Sequence, residues 1–497
     1  MNSNPAPSIK NKVIAGAAWM VAIKWSFRLL GLVSTMVLAR LLTPVDYGII
    51  AIAMALTGIL DAFFDFGFDL ALIKNQKATR EDYDATWTLR LGKMALFGLC
   101  VALLSPLVAN YANAPEALGV CLIVALSIAL RGLENIGTVD FQKDLDFSRV
   151  FKLQVISKML ATLTTILLAI ALRSYWAIAI GFVTSAIYSV FFSYRMSPFR
   201  PRLRIAGISR IWGFSKWVLL VNMARQLFNS LDKLLLSSLV SKAQLGFYNV
   251  SGSLASIVTV ELLSPIGSAL MPGFAKLQDD RPRLRAAFMQ SLAVLMAVIL
   301  PAGAGVWLVA PELVRVILGN QWDGAAGLVA LFGLFSVFFS LSETISNFMA
   351  MTGLIAKSAW IGLTRTILFL GGIYFVFQAH GLEGVILFKA LLALIEMIIL
   401  FLISARFLGL PVTSFLKITW RPALAVAAMG LALHGLAPWF SGNVYIDLFA
   451  KALAGGFVYA ATSLLLWRIA GKPGGLESLV LELISSRLGD RSRMPST

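Results

Sequence analysis

Residues 286–310 read AAFMQSLAVLMAVILPAGAGVWLVA, twenty-five consecutive positions without a charged side chain. Arg281, Arg283 and Arg285 come just before this run, and Pro311 follows it directly. The hydrocarbon core of a bilayer is about 30 Å thick, so an α-helix needs about 20 apolar residues to cross it. This stretch therefore predicts one transmembrane helix.

Windows of the same kind fill most of the chain. Of its 497 residues, 59% are hydrophobic and only 13% are charged, whereas soluble domains carry about 25% charged residues. The predicted fold class is an all-α polytopic membrane protein with about fourteen transmembrane helices. The predicted spans are 13–41, 47–72, 87–111, 117–139, 150–172, 175–195, 213–239, 245–271, 286–310, 324–350, 355–378, 382–407, 418–439 and 445–470.

Lysine and arginine are distributed unevenly among the loops between these spans. Basic residues mark the loops that stay cytoplasmic, so the even-numbered loops and both termini are predicted to face the cytoplasm. The net charge of +17 is then mainly a topology signal and not a nucleic-acid site. The basic loops include Lys74, Lys77, Arg195, Arg200, Arg202, Arg204, Lys276, Arg406 and Arg493, whereas the opposite loops hold little beyond Arg40, Arg173, Lys242 and Arg315.

Reactive side chains give little support to an enzyme. Cys100 and Cys121 lie inside apolar windows, and His380 and His434 lie far apart. Such a set predicts no disulfide framework, no metal site and no histidine-based hydrolase. We therefore expect a protein that is not an enzyme and that holds no cofactor. The stretch 13–41 is too long for a signal-peptide core and lacks a cleavage pattern, so it is expected to remain as the first helix.

A weak internal repeat relates two parts of the chain. When the sequence is aligned with itself at one constant offset, Trp19 aligns with Trp217, Leu42 with Val240 and Gly48 with Gly246. Six spans separate the copies, and an even number gives both the same orientation, as in transporters built from parallel repeats. Two similar turns without a repeat would give the same match, so both explanations stay open. The predicted domains are an N-terminal six-helix bundle at 1–195, a cytoplasmic basic linker at 196–212, a C-terminal six-helix bundle at 213–410, and two extra helices with a cytoplasmic tail at 411–497.

Several short motifs occur in the order that is typical of one transporter family. ARLLTPVDYG at 39–48 is followed by DFGF at 65–68 and ALIK at 71–74. With the motifs that follow, this series resembles the polysaccharide transport (Wzx-type) flippases of the MOP superfamily over roughly residues 10–410. The further motifs are DFQKDLDF at 140–147, Asp232 with LGFY at 245–248, PGFAKLQDD at 272–280 and GNQW at 319–322.

The resemblance implies both a shape and a function. Such proteins are V-shaped pairs of six-helix bundles that move polyprenyl-pyrophosphate-linked oligosaccharide repeat units across the inner membrane by alternating access. The products would be O-antigen, capsule or exopolysaccharide, and the implied partners are the lipid-linked oligosaccharide and the polysaccharide polymerase machinery. In related lipid flippases two extra C-terminal helices line a groove for the polyprenyl tail. Spans 418–439 and 445–470 are candidates for that role, although they carry no family motif.

Ten cations lie at least six residues from either end of a predicted span, and a charge at the bilayer centre costs about 2.5–3.5 kcal/mol. Lys24 and Arg28 are four residues apart on one face of the first helix, and an arginine can bind a phosphate with two parallel hydrogen bonds. Pairing of Arg28 with Asp61 or Asp65 on the second helix is the alternative. The predicted substrate-binding residues are Lys24, Arg28, Arg225, Lys233 and Arg365.

A row of carboxylates on the second helix suggests ion coupling. Asp61, Asp65 and Asp69 recur every four residues, and such a row can relay protons or bind sodium. Asp61 and Asp65 are therefore candidates for coupling transport to H⁺ or Na⁺. A structural role for Asp65 and solvation of Asp69 would explain the same row.

Two other functions stay open at this point. A multidrug or metabolite cation antiporter of the same superfamily would share the twelve-helix core, but it needs acids to dominate its cavity. A membrane glycan polymerase or acyltransferase would usually show large outer loops or a catalytic histidine. The cation-rich first and seventh spans and the short outer loops favour the flippase.

The loop charges predict how reporter fusions will behave. Fusions after Pro201 and after Arg493 should read as cytoplasmic, and fusions near Asn113 and Gly442 should read as external, because basic loops resist translocation. The measurement is a pair of reporters that are active on opposite sides of the membrane. A periplasmic signal from the fusion after Pro201 would contradict the whole assignment.

Overall fold

Helices are the regular elements of this protein in the computed structural model. The structure describes residues 9–64, 72, 78–144, 146–204, 226–228, 230–259, 274, 277, 280–440, 442–472 and 476–477. Within these ranges there is no β-strand. The predicted all-α class is therefore confirmed over the described chain.

Among the described residues before position 200 there are seven α-helices, and turn residues fix several of their ends. Thr79 and Asp82 form a capping box at one start, Pro115 occupies the first turn of another helix, and Asp146 caps a third. The helices are α1 (Ile9–Leu41), α2 (Pro44–Phe64), α3 (Arg80–Tyr111), α4 (Pro115–Arg131), α5 (Val139–Lys143), α6 (Phe147–Leu172) and α7 (Trp176–Met196).

Six further helices complete the described elements, and residues 226–228 and 230–237 are helical as well. The predicted span at 213–239 is described only from residue 226 onward, and the span at 245–271 only up to residue 259. The helices are α8 (Lys242–Val258), α9 (Arg281–Ile317), α10 (Ala326–Met351), α11 (Ile355–Leu408), α12 (Thr413–Gly435) and α13 (Val444–Ile469). Over the described residues, the predicted spans correspond to these helices and to residues 226–228 and 230–237, with shifts of a few residues at several ends.

Helix α11 contains two spans. Its 54 residues would reach about 80 Å at 1.5 Å per residue, far more than one bilayer crossing needs. The break is Gly381, whose φ of 62° and ψ of −156° lie outside the helical region. Only glycine adopts this conformation without strain, so it separates the arms 355–380 and 382–408.

One predicted span is shorter than expected. The sequence suggested a continuous helix over 117–139, but α4 ends at Arg131 and a new helical turn begins at Ile136. The two pieces meet at 67°. The side chain of Asn135 accepts a hydrogen bond from Gly137 N at 2.9 Å and so starts the second piece in a new direction.

Residues 1–249 form one compact unit and residues 250–497 a second one. In the first unit, α3 packs on α4, α6 packs on α7, and α1 packs on α6. In the second unit, α10 packs on α9 and α11, while α12 and α13 pack on each other and on α9. The core of the second unit centres on Phe288, Phe348 and Phe401. The domain boundaries predicted at 196–212 and 411 stay predictions.

The two turns that the suggested repeat aligns have the same geometry. Before α2, Thr43 N and Oγ1 both donate to Asp46 Oδ2, at 2.8 and 2.7 Å, and Asp46 N donates back to Thr43 Oγ1. Before α8, Ser241 N and Oγ both donate to Gln244 Oε1, at 3.1 and 3.2 Å, and Gln244 N donates back to Ser241 Oγ. The aligned positions therefore form the same capping box.

The two capped helices cross at a pair of glycines. A Cβ atom on Gly48 would collide with the carbonyl oxygen of Lys242, and a Cβ on Gly246 would collide with that of Pro44. Pro44 and Lys242 are themselves partners under the repeat, so the two contacts are reciprocal. The ammonium of Lys242 also binds Glu116 at 2.7 Å. We call Pro44, Gly48, Lys242 and Gly246 the glycine crossing.

The glycine crossing predicts a strong effect of one added methyl group. Gly48→Ala should destabilise the protein by about 1–3 kcal/mol, because a side chain would press on a main-chain carbonyl that cannot move aside. The measurement is thermal melting of the purified protein in detergent. Gly92→Ala is the matched control, since nothing lies within 4 Å of that position, and it should leave the melting temperature unchanged or raise it. Equal melting of the two variants would argue against a tight crossing.

Candidate functional site

The predicted phosphate ligands of the first helix lie on a sparsely covered surface. Only 6% of the residues in the most apolar window of Ala18–Leu41 are buried by the rest of the protein. Lys24 is exposed, and Arg28, one turn later, is half-buried. Their role as substrate ligands stays a prediction.

The acids suggested for ion coupling are described in part. Asp61 lies near the end of α2 and is exposed, whereas Asp65 lies outside the described residues. One turn before Asp61, Gly58 lies directly against the side chain of Ser230. This contact places the α2 acid near the described part of the seventh span.

That seventh span carries a buried carboxylate beside Lys233. Asp232 is 1% exposed, and its two oxygens accept hydrogen bonds from Tyr248 Oη and from the Lys233 main-chain nitrogen, both at 2.8 Å. The Lys233 side chain is half-buried. Arg225, its predicted companion, lies outside the described residues. Asp232 thus has a defined structural role in joining this span to α8.

Arg365 is already engaged with a carboxylate. Its guanidinium forms an ion pair with Glu396 across the two arms of α11, and the two side chains are 8% and 7% exposed. The guanidinium also lies over the Phe339 ring, 5.9 Å from its centre. A substrate phosphate would have to compete with this carboxylate, and a role for Arg365 in binding stays a prediction.

Lys389 is a second buried cation near this ion pair. Its residue is 5% exposed, and its ammonium lies 5.3 Å from the centre of the Phe335 ring and 5.6 Å from that of Phe369. Aromatic faces attract cations, most strongly where water is excluded. The second unit therefore holds an ionic and aromatic cluster, formed by Phe335, Phe339, Arg365, Phe369, Lys389 and Glu396.

Sequence reasoning counted Glu396 and Lys389 among the charges in spans but assigned them no role. A usable signal was present for Glu396. Arg365 precedes Gly381 by sixteen residues and Glu396 follows it by fifteen, so a helical hairpin that turns at Gly381 brings both to the same depth. Lone opposite charges at equal depth in adjacent spans predict an ion pair.

Glu134 organises a comparable polar centre in the first unit. Its carboxylate forms an ion pair with Arg90 and accepts a hydrogen bond from Ser189 Oγ at 2.6 Å. Its main-chain carbonyl accepts one from Trp87 Nε1 at 3.1 Å. The contacts come from α3 and α7, so this acid has a structural explanation.

The described part of the basic linker is docked on α3. Arg202 N donates to the buried Asp84 carboxylate at 2.9 Å, and Arg204 N donates to Thr88 Oγ1 at 2.8 Å. Asn135 Nδ2 donates to the carbonyl of Phe199 at 2.6 Å. Residues 197–204 thus lie as a strap across the end of the first unit, with their arginine side chains exposed.

An apolar groove runs between the second arm of α11 and the start of α12. Its volume is about 260 Å³. The lining is almost entirely hydrocarbon, and Val412 and Leu416 on its rim are 61% and 67% exposed. Such a groove suits a lipid chain better than a polar ligand. The lining residues are Met397, Ile398, Phe401, Leu402, Val412, Thr413, Phe415 and Leu416.

The sequence matches a known family over more than half of its length. The family described as "Polysaccharide biosynthesis protein" matches residues 37–327. The lipopolysaccharide biosynthesis protein WzxC of Escherichia coli K12 is 24% identical over 444 residues, covering 86% of this chain and 89% of that protein. The succinoglycan biosynthesis transport protein ExoT of Rhizobium meliloti is 23% identical over 468 residues, covering 92% and 94%.

The fold has a solved counterpart. The lipid II flippase MurJ in an inward closed conformation superposes with a TM-score of 0.70 at 15% sequence identity, covering 91% of this chain and 99% of that structure. At this level of identity the match concerns the fold alone. The chain is a multi-pass membrane protein with the fold of that transporter.

The buried ion pair leads to a prediction about stability. Arg365→Met should lower stability by about 3–5 kcal/mol, because the Glu396 carboxylate would lose its cation in a medium of low dielectric. Arg365→Met/Glu396→Leu should recover most of the loss, because neither member of the pair is then left as a buried charge without its partner. Thermal melting in detergent measures both effects.

An exposed ion pair provides the control. Arg315 and Asp323 pair at 2.9 Å, but their side chains are 48% and 46% exposed, so Arg315→Met should change melting little. A double variant at 365 and 396 that melts as low as the single variant would contradict the ion-pair interpretation.

Proposed function

The chain belongs to the polysaccharide biosynthesis protein family, and we propose that it is a flippase for polyprenyl-pyrophosphate-linked oligosaccharide repeat units. The substrate crosses the bacterial inner membrane by alternating access, for the synthesis of O-antigen, capsule or exopolysaccharide. The protein is a transporter and not an enzyme. Both termini lie in the cytoplasm, and the polymerase machinery that consumes the flipped unit is its functional partner.

One observation carries this proposal. The similarity to WzxC and ExoT extends over 86% and 92% of the chain, so the similarity covers nearly the whole transporter and not one module. Their names refer to lipopolysaccharide biosynthesis and to succinoglycan transport. A lipid-linked sugar unit is the substrate class that unites the two.

The polar end of this substrate needs cations within the membrane. Lys24 and Arg28 supply two positive charges on one face of α1, and Lys233 supplies another from the seventh span. Arginine binds phosphate with two parallel hydrogen bonds, and lysine adds a point charge. In this proposal the pyrophosphate is held by Arg28 and Lys24, with Arg225 and Lys233 as the corresponding pair of the second repeat.

Arg365 and the acids of α2 have supporting roles in the same proposal. Arg365 contacts the phosphate only when Glu396 releases it, for example on protonation of the carboxylate. Asp61 and Asp65 couple the cycle to H⁺ or Na⁺, because a carboxylate in a span changes its interactions when it gains a cation.

The hydrocarbon end of the substrate needs an apolar path. The groove between α11 and α12 offers one, since its lining is hydrocarbon and its rim is open to lipid. A polyprenyl chain that stayed in this groove would not have to enter the polar part of the protein. Only the sugar and pyrophosphate would then need the cation-lined path.

The glycine crossing is suited to closing one end of that path. It lies at the helix ends that the loop charges place on the extracytoplasmic side, and it brings two main chains into direct contact. Two reciprocal contacts can separate without breaking either helix. The exposed pair of Lys242 and Glu116 adds only a weak bond to this closure.

Substitutions at Arg28 test the proposal. Arg28→Ala should lower the translocation rate by about 10- to 100-fold, the equivalent of one charged hydrogen bond of about 1.5–3 kcal/mol. Arg28→Lys should lose less, since it keeps the charge without the two-pronged grip. The measurement is the transfer of lipid-linked oligosaccharide between leaflets of reconstituted vesicles. Melting and membrane abundance should stay at the wild-type level.

Two outcomes would contradict the assignment. If Arg28→Ala lowers stability and Asp61→Asn or Asp65→Asn restores it, Arg28 is a structural partner of that acid and not a phosphate ligand. If the wild-type protein moves no lipid-linked glycan, or a deletion strain without a paralogue keeps normal surface glycan, the flippase function itself is wrong. Arg468→Ala, at an exposed helix end, is the matched loss of a cation and should transport normally.

A further inference from the structure

Helix α9 carries a proline in its interior, and another span supplies the hydrogen bond that this proline removes. Pro301 has no N–H, so the carbonyl four residues earlier, at Ala297, loses its helical donor. The hydroxyl of Tyr459 on α13 donates to that same carbonyl at 2.7 Å. Ala297 is 6% exposed, which leaves water little access to the oxygen.

The α12–α13 pair makes a second polar contact with α9, and its own two helices meet at the carboxylate of Glu477. Toward one end of α13, the ammonium of Lys451 binds Glu312 of α9 at 2.6 Å and lies over the ring of Phe440. Toward the other end, Ser463 Oγ donates to Glu477 at 2.9 Å. Arg421 of α12 lies 3.6 Å from the same carboxylate. Tyr459 lies between these two ionic contacts.

Another interior proline, Pro106, shows that the carbonyl left without a donor can also be satisfied from within the same helix. In α3, Pro106 removes the donor for the carbonyl of Ala102, and Ser105 Oγ of the same helix donates to it at 2.7 Å. This hydrogen bond lies within one helix and joins no other span. In α9 the replacement hydrogen bond comes from another helix, although the hydroxyl of a serine or threonine beside Pro301 could have supplied it locally.

We propose that Tyr459 is a positioning residue that couples the last two spans to the proline break of α9. At Pro301 one rung of the α9 hydrogen-bond ladder lacks its main-chain donor, and helices bend at such positions. The hydroxyl of Tyr459 holds α13 to this point, Lys451 binds α9 a second time at Glu312, and the Glu477 carboxylate joins α13 to α12. The last two spans therefore move with α9 and set its bending. The stability part of this proposal is independent of the proposed function, and the transport part rests on it.

A double-mutant cycle in the full-length protein tests the hydrogen bond. Tyr459→Phe should lower the melting temperature by about 2–4 °C, because the Ala297 carbonyl loses its donor. Pro301→Ala restores a main-chain N–H four residues from Ala297. In that background Tyr459→Phe should cost much less. An equal loss in both backgrounds would overturn the role assigned to Tyr459. Pro301→Ser also restores the N–H and serves if Pro301→Ala yields no folded protein.

A transport assay distinguishes coupling of α13 to α9 from a purely stabilising role of Tyr459. Tyr459→Phe should slow leaflet transfer at least threefold at a temperature well below its melting point, and Pro301→Ala should slow it while preserving stability. Ser105→Ala is the matched control, because it removes the same kind of bond without joining two spans, and its transport should be normal. Equal transport by Tyr459→Phe and Ser105→Ala would overturn the coupling. Absence of transport in the wild type would refute the proposed function and leave the melting cycle as evidence for the bond.

Discussion

The arrangement of the helices in this protein depends on the free-energy cost of an unsatisfied polar group in hydrocarbon. A buried carbonyl or charge without a partner costs several kcal/mol in lipid. Each break in a helix and each charge in a span therefore needs a compensating feature within the protein. The structure shows three kinds of compensation. Ser105 and Tyr459 serve the carbonyls that prolines leave open, Glu396 neutralises Arg365, and the glycine at 381 turns the chain without exposing a side chain.

The same constraint separates structural charges from functional ones. Arg90, Arg365 and Lys451 each have a carboxylate on a neighbouring helix or arm, which explains their presence without a ligand. Lys24 and Arg28 lie on one face of α1, Lys24 exposed and Arg28 half-buried, and their binding of an anion stays a prediction that the Arg28 variants test.

The number of spans and the helix ends could be predicted from the sequence because apolar length and turn chemistry are local. The apolar length of residues 286–310 predicts a helix, and Thr43 followed by Asp46 three residues later is typical of a capped helix start. The break after Arg131 was missed because the apolar residues on both sides, 117–130 and 136–139, were counted as one window across Gly132 and Asn135, although both are typical turn residues. Contacts between spans were harder to predict. The hydroxyl of Tyr459, for example, binds the main-chain carbonyl of Ala297, which is far away in the sequence. Every residue type has such a carbonyl, so the sequence gives no sign of this contact.

The reciprocal contacts of the glycine crossing also constrain how this sequence can change over generations. Each glycine touches a main-chain carbonyl, and that atom is present whatever residue occupies positions 44 and 242. A substitution at either glycine therefore has no compensating partner mutation, unlike a side-chain contact, in which one residue can shrink as the other grows. Sequence drift in homologues that keep this contact is expected to spare both glycines while the residues around them diverge.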